Sequence, residues 1–100
     1  MKWLENYRAE IDTLCKTYKV KSLYTFGSVL TEKFNDESDI DLIVDFLDME
    51  VEDYADNYFD FKFALQDVFG RQIDLLEERG IKNHRFKESV SLRKRLLFET

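Results

Sequence analysis

Leu23-Tyr24-Thr25-Phe26-Gly27-Ser28, ten intervening residues, then Asp39-Ile40-Asp41-Leu42-Ile43-Val44: these two segments decide how the chain is read. Strict alternation in the second predicts a strand with Asp39 and Asp41 on one face and Ile40, Leu42 and Val44 on the other. One face is expected to be core, and the other is left for chemistry. Two carboxylates side by side repel by several kcal/mol when partly desolvated, so a fold that keeps both is expected to place cations between them. Magnesium is the first choice, because it takes a couple of carboxylates and completes its shell with water and phosphate oxygens. Ahead of the pair, an apolar run ends in Gly27-Ser28 and enters a stretch, Val29 to Lys33, that reads as a short helix. Free backbone N–H groups and a hydroxyl at such a turn suit a phosphate. Metal and phosphate sites are therefore expected at adjacent strand ends.

Outward from this centre, Met1 to Tyr18 carries Leu4, Tyr7, Ile11, Leu14 and Tyr18 at spacings of three and four and reads as an amphipathic helix. Lys21-Ser22 is expected to turn into the first strand, Leu23 to Phe26, and the second strand to run from Asp39 to about Phe46. Asp45 shares the parity of Asp39 and Asp41 but lies towards the far end and reads as surface. Glu52 to Phe69 is the longest helical pattern, with Tyr54, Tyr58, Phe61, Leu65 and Val68 towards the core, and Gly70 is placed to terminate it in the left-handed conformation. Gln72 to Leu76 reads as a third strand that sets Asp74 opposite Ile73 and Leu75. After a loop from Glu77 to Ile81, Asn83 is a candidate cap for a last helical region reaching Phe98 through Phe86, Val90 and Leu97. The expected fold is α/β (α+β): a small mixed β-sheet with helices packed mainly on one side.

One hundred residues suffice for one core and one domain, residues 1–100, so a bulky acceptor is expected to come from a partner. A net charge of −6 argues against strong non-specific nucleic-acid binding, which depends on neutralising phosphates. The charge is uneven: between Glu32 and Asp60 Lys33 is the one basic residue, whereas Arg79, Lys82, Arg85, Lys87, Arg93, Lys94 and Arg95 make the tail basic. Solvated surface is the plain reading of this asymmetry, and a metal-rich acidic mouth with a basic phosphate-facing or partner-facing flank is the sharper one. Cys15 stands alone in an apolar helical stripe and reads as a buried structural thiol in a reducing compartment. No apolar run is long enough to span a membrane, so a cytoplasmic protein with no membrane partner is expected. His84, in a polar stretch, reads as exposed or as a helix-end contact.

Asp-x-Asp alone is a weak signal. A calcium loop would need a further oxygen ligand and a glycine close behind, where this chain has Leu42-Ile43-Val44. A haloacid-type nucleophile would close an apolar strand, whereas Asp39 begins one, and no Walker-type Gly-Lys-Ser/Thr is present. Gly27-Ser28, the ten-residue gap, Asp39-x-Asp41 and Asp74 within Gly70-Arg71-Gln72-Ile73-Asp74-Leu75 together resemble the minimal nucleotidyltransferases of the DNA polymerase beta superfamily. The likeness runs from about Leu23 to Leu76, with Ile81-Lys82-Asn83 and Phe86 similar to the family's closing segment.

The resemblance implies a polymerase beta-like nucleotidyltransferase fold and transfer of a nucleoside monophosphate, AMP from ATP, to an acceptor hydroxyl. Asp39 and Asp41, joined by Asp74, would hold two Mg2+ ions at the roughly 3.5–4 Å spacing of two-metal sites. Gly27 and Ser28 would bind the nucleotide's terminal phosphates, and Asp74 would help deprotonate the attacking hydroxyl. Where many relatives carry arginines after the serine, this chain has Val29-Leu30-Thr31-Glu32, so a bidentate phosphate contact would have to come from elsewhere, with Arg71 or the basic tail as substitutes. The family setting implies a HEPN-domain toxin as partner, with one of its tyrosines as acceptor and an antitoxin role for this chain. Two alternatives stay open: a non-catalytic antitoxin that neutralises its partner by binding, and a small-molecule (antibiotic) nucleotidyltransferase in which a homo-oligomer builds the missing wall.

Overall fold

The computed structural model describes residues 2–26, 39–80 and 94–100. Helix α1 (Lys2–Glu5) and helix α2 (Arg8–Thr17) precede strands β1 (Val20–Phe26) and β2 (Ile40–Phe46). Helix α3 (Val51–Phe69), strand β3 (Ile73–Glu77), a 3-10 turn (Glu78–Gly80) and strand β4 (Arg95–Glu99) follow. The strands form one mixed sheet in the order β3-β2-β1-β4. β1 is antiparallel to both β2 and β4, while β2 and β3 run parallel, joined by α3 as a βαβ crossover.

Alternation along β2 buries Ile40, Leu42, Val44 and Phe46 in a core shared with Ile73 and Leu75 of β3. Helix α3 closes this face with Phe61, Leu65 and Phe69, and α2 with Ile11 and Cys15. Phe46 meets the Phe61 ring edge-on at 5.8 Å, and Tyr7 meets Phe69 at 5.0 Å, so aromatic pairs tie the helices to the sheet and to each other. Asn57 of α3 donates to the Tyr18 carbonyl at 2.7 Å, satisfying a group at the C-terminal end of α2. Gly70 ends α3 with φ of 66°, the left-handed conformation expected of it.

Several boundaries differ from the sequence reading. The N-terminal helix is two pieces, broken between Glu5 and Arg8. Lys21-Ser22 is not a turn but part of β1, where the register against β2 shifts between Val20 and Ser22. That irregularity lets Val20 and Leu23, which plain alternation would put on opposite faces, both reach the core. The largest correction is at the C-terminus: residues 95–99 are a strand and not the end of a helix. They pair with the edge of β1 that β2 leaves open, and Leu97 is buried there. The expected helix at Val29–Lys33, the Asn83 cap, Phe86, Val90 and His84 lie outside the described residues. Among the described residues, no helix is long and apolar enough to cross a membrane.

Candidate active site

Asp39 immediately precedes β2, Asp41 is the second residue of β2, and Asp74 is the second residue of β3. Because Ile40 and Leu42 point into the core, the pleat turns Asp41 to the other side of the sheet, and Ile73 and Leu75 do the same for Asp74. The parallel register sets Asp41 directly beside Asp74. Partial burial, then Asp74, then Asp39 raise the Asp41 carboxyl above the usual carboxylate range, so Asp41 feels both neighbouring acids. On the other flank of Asp41 lies Phe26, the last residue of β1. Gly27 and Ser28 follow Phe26 in the chain and lie outside the described residues.

The acidic edge is braced from beneath. Buried Thr25 donates its hydroxyl to the Asp41 carbonyl at 3.1 Å, holding the backbone that carries the carboxylate. From α3, Tyr58 donates to the Leu75 carbonyl, next to Asp74, and Tyr54 donates to Glu77 Oε2 at 2.6 Å. Burial first, and then Glu77 and Asp74, push the Tyr58 phenol up, so it stays a protonated donor. Both tyrosines occupy core-facing helical positions. What periodicity does not convey is that each hydroxyl needs a partner at the rim of the core, and that β3 supplies it.

Asp45, expected as a surface acid from its place towards the far end of the strand, is largely buried and engaged. Arg79, in the 3-10 turn, donates to Asp45 Oδ1 at 3.1 Å and to the Phe46 carbonyl at 3.2 Å, binding the far end of β2. Two aspartates of equal parity on one strand thus have different surroundings: Asp45 has a guanidinium, and Asp41 has two more carboxylates. Ile43 between them is buried, so the face that carries the acids has an apolar floor. Tyr24 and Leu76 flank Ile43 in the register, and Lys94 lies 4.1 Å from the Tyr24 ring centre. Cross-strand partners share a face, which puts this ammonium on the same side as Asp41.

Among the described residues, no three His, Cys, Asp or Glu side chains close around a single point as a metal cage. Asp39 and Asp74 are exposed and Asp41 is half-buried, forming an open edge. Hard carboxylate oxygens that repel one another, with room left for water and phosphate ligands, fit magnesium-type chemistry better than a thiolate or imidazole site would.

Residues 8–97 match the model of the nucleotidyltransferase domain. The chain belongs to that family. This nucleotidyltransferase is 38% identical over 77 residues to a Methanocaldococcus jannaschii protein whose name proposes it as a protein adenylyltransferase, covering 77% of this chain and 76% of that one. Its fold is similar to that of a proposed minimal nucleotidyltransferase of known structure, with a TM-score of 0.77, 26% identity, and coverage of 94% of this chain and 92% of the other. It is also similar in fold to a chain in a complex of a tri-AMPylated Shewanella oneidensis HEPN toxin with its MNT antitoxin. There the TM-score is 0.65 at 19% identity, over 96% of this chain and 72% of that one.

Proposed function

We propose that this nucleotidyltransferase is a metal-dependent adenylyltransferase that moves AMP from ATP to a protein hydroxyl, a tyrosine of a HEPN-type toxin, and so acts as an antitoxin. The observation that carries the reading is the in-register pair Asp41–Asp74 with Asp39 beside it, two carboxylates that both act on Asp41 at the N-terminal ends of β2 and β3. The name of the M. jannaschii relative supports a protein acceptor, and the complex with the AMPylated HEPN toxin supports the partner.

In this reading the acceptor oxygen attacks the α-phosphorus of ATP, the new O–P bond forms, the bond to the β-phosphate bridging oxygen breaks, and pyrophosphate leaves. Asp39, Asp41 and Asp74 would hold divalent cations, which supply charge neutralisation at the triphosphate and the attacking oxygen. Asp74, exposed at the outer side of the pair, takes the acceptor's proton. Asp41, backed by Thr25 and the rigid centre of the sheet, orients the donor. Gly27 and Ser28, which follow Phe26 in the chain, would contact the terminal phosphates, and Lys94 is a cation on the same side of the sheet as Asp41.

Purified protein incubated with α-labelled ATP, magnesium and a HEPN-domain protein from the same genome should transfer label to the partner, and Asp41→Asn should abolish it. Tight association with no transfer under varied nucleotides and metals would overturn the catalytic reading in favour of neutralisation by binding.

A further inference from the structure

Helix α3 has a second face that the core does not use. Phe59 and Phe63, one turn apart, are 50% and 54% exposed, and their rings stack at 6.2 Å between centres. Tyr58 braces the first ring edge-on at 5.1 Å, so the ridge is held in shape rather than left to collapse. Two adjacent half-exposed phenylalanines on a regular helix are the kind of anchor that protein interfaces bury. The exposed residues along this face are Ala55 and the acids Glu52, Asp56, Asp60 and Asp67 around the two rings. Across the whole of α3 there are five acids against one lysine, Lys62. Among the described residues none of those five acids is in an ion pair, since the ion pairs there belong to Arg79.

We infer that the Phe59–Phe63 ridge is a docking surface for a basic amphipathic helix of a protein partner, with apolar side chains meeting the two rings and lysines or arginines meeting the flanking acids. Charge decides between occupants: a second copy would bring one acidic face against another, whereas a basic helix neutralises this one. Because α3 covers the core side of the sheet and Asp41 and Asp74 point to the other, docking here leaves the acidic edge open. The inference goes beyond the proposed transfer and needs no nucleotide.

The test uses the full chain and two synthetic helical peptides, each with leucines at helical spacing, flanked by lysines in one and glutamates in the other. Fluorescence polarisation without nucleotide should show binding of the lysine peptide that weakens with added salt, and no binding of the glutamate peptide. Phe59→Ser with Phe63→Ser should weaken binding by at least about tenfold, as should Asp56→Lys with Asp60→Lys. The second pair keeps both rings and guards against a folding defect in the first, and circular dichroism checks each. Equal binding of both peptides, or binding unaffected by the ring substitutions in folded protein, would overturn the assignment. So would a wild-type dimer in sedimentation that Phe63→Ser dissociates, which would make the occupant a second copy. Loss of adenylyl transfer in Asp41→Asn with peptide binding retained would bear on the catalytic reading alone.

Discussion

Replacing Asp74 with asparagine should move stability and activity in opposite directions. The parallel register puts Asp74 beside Asp41, and neighbouring strands lie roughly 5 Å apart. Two unit charges at that separation repel by about 1 kcal/mol with water-like screening and about 3 kcal/mol with the screening of a protein surface. Asp74 is exposed, so the smaller figure applies. Asparagine keeps the shape and removes the charge, so in metal-free buffer the variant should gain up to about 1 kcal/mol, a rise of roughly 4–8 °C in Tm for a domain of this size. Transfer should meanwhile fall by about 10²–10⁴-fold, the usual contribution of a general base, while triphosphate affinity changes little. Circular dichroism melts, labelled-ATP transfer and nucleotide titration would be run on the same preparation. A lower Tm would mean that Asp74 accepts structural hydrogen bonds instead of straining against Asp41, and normal transfer by the folded variant would remove it from the chemistry.

Phe61→Ala removes a fully buried ring that meets both Phe46 and Tyr18, and should cost about 3–5 kcal/mol in denaturant unfolding. Gly70→Ala meets no atom within 4 Å, so its expected cost of about 1 kcal/mol in the same assay is purely that of a side chain at φ of 66°. Burial, with Asp12 adding to it, pushes the Cys15 thiol from 9.0 to about 12, so native protein should resist thiol reagents at pH 8 and react only as it unfolds. Since the unfolded thiol ionises near its ordinary value and the folded one does not, the stability that Cys15 contributes should hold below pH 9 and be lost as pH rises towards 12; Cys15→Ala should flatten that part of the curve.

Local patterns in the sequence were enough for the elements whose physics is local. Period-two alternation around Asp41 and Asp74 sets which face each carboxylate takes whatever the strands pair with. The stripe Tyr54, Tyr58, Phe61, Leu65 closed by Gly70 specifies a helix and its stop from backbone geometry alone. The Gly-Ser and Asp-x-Asp spacing carried the family. What needed the tertiary structure is what depends on partners far along the chain. Residues 95–99 have no helix or strand preference strong enough to decide the matter, and the open edge of β1 decides it by offering unpaired backbone groups. Asp41 and Asp45 are alike in sequence; the register with Asp74 and the reach of Arg79, each some thirty-odd residues away, make one a candidate for chemistry and the other a clamp. Phe59 and Phe63 are as apolar as the core residues, yet a helix has only one side against the sheet, and Phe61, Leu65 and Phe69 already fill it.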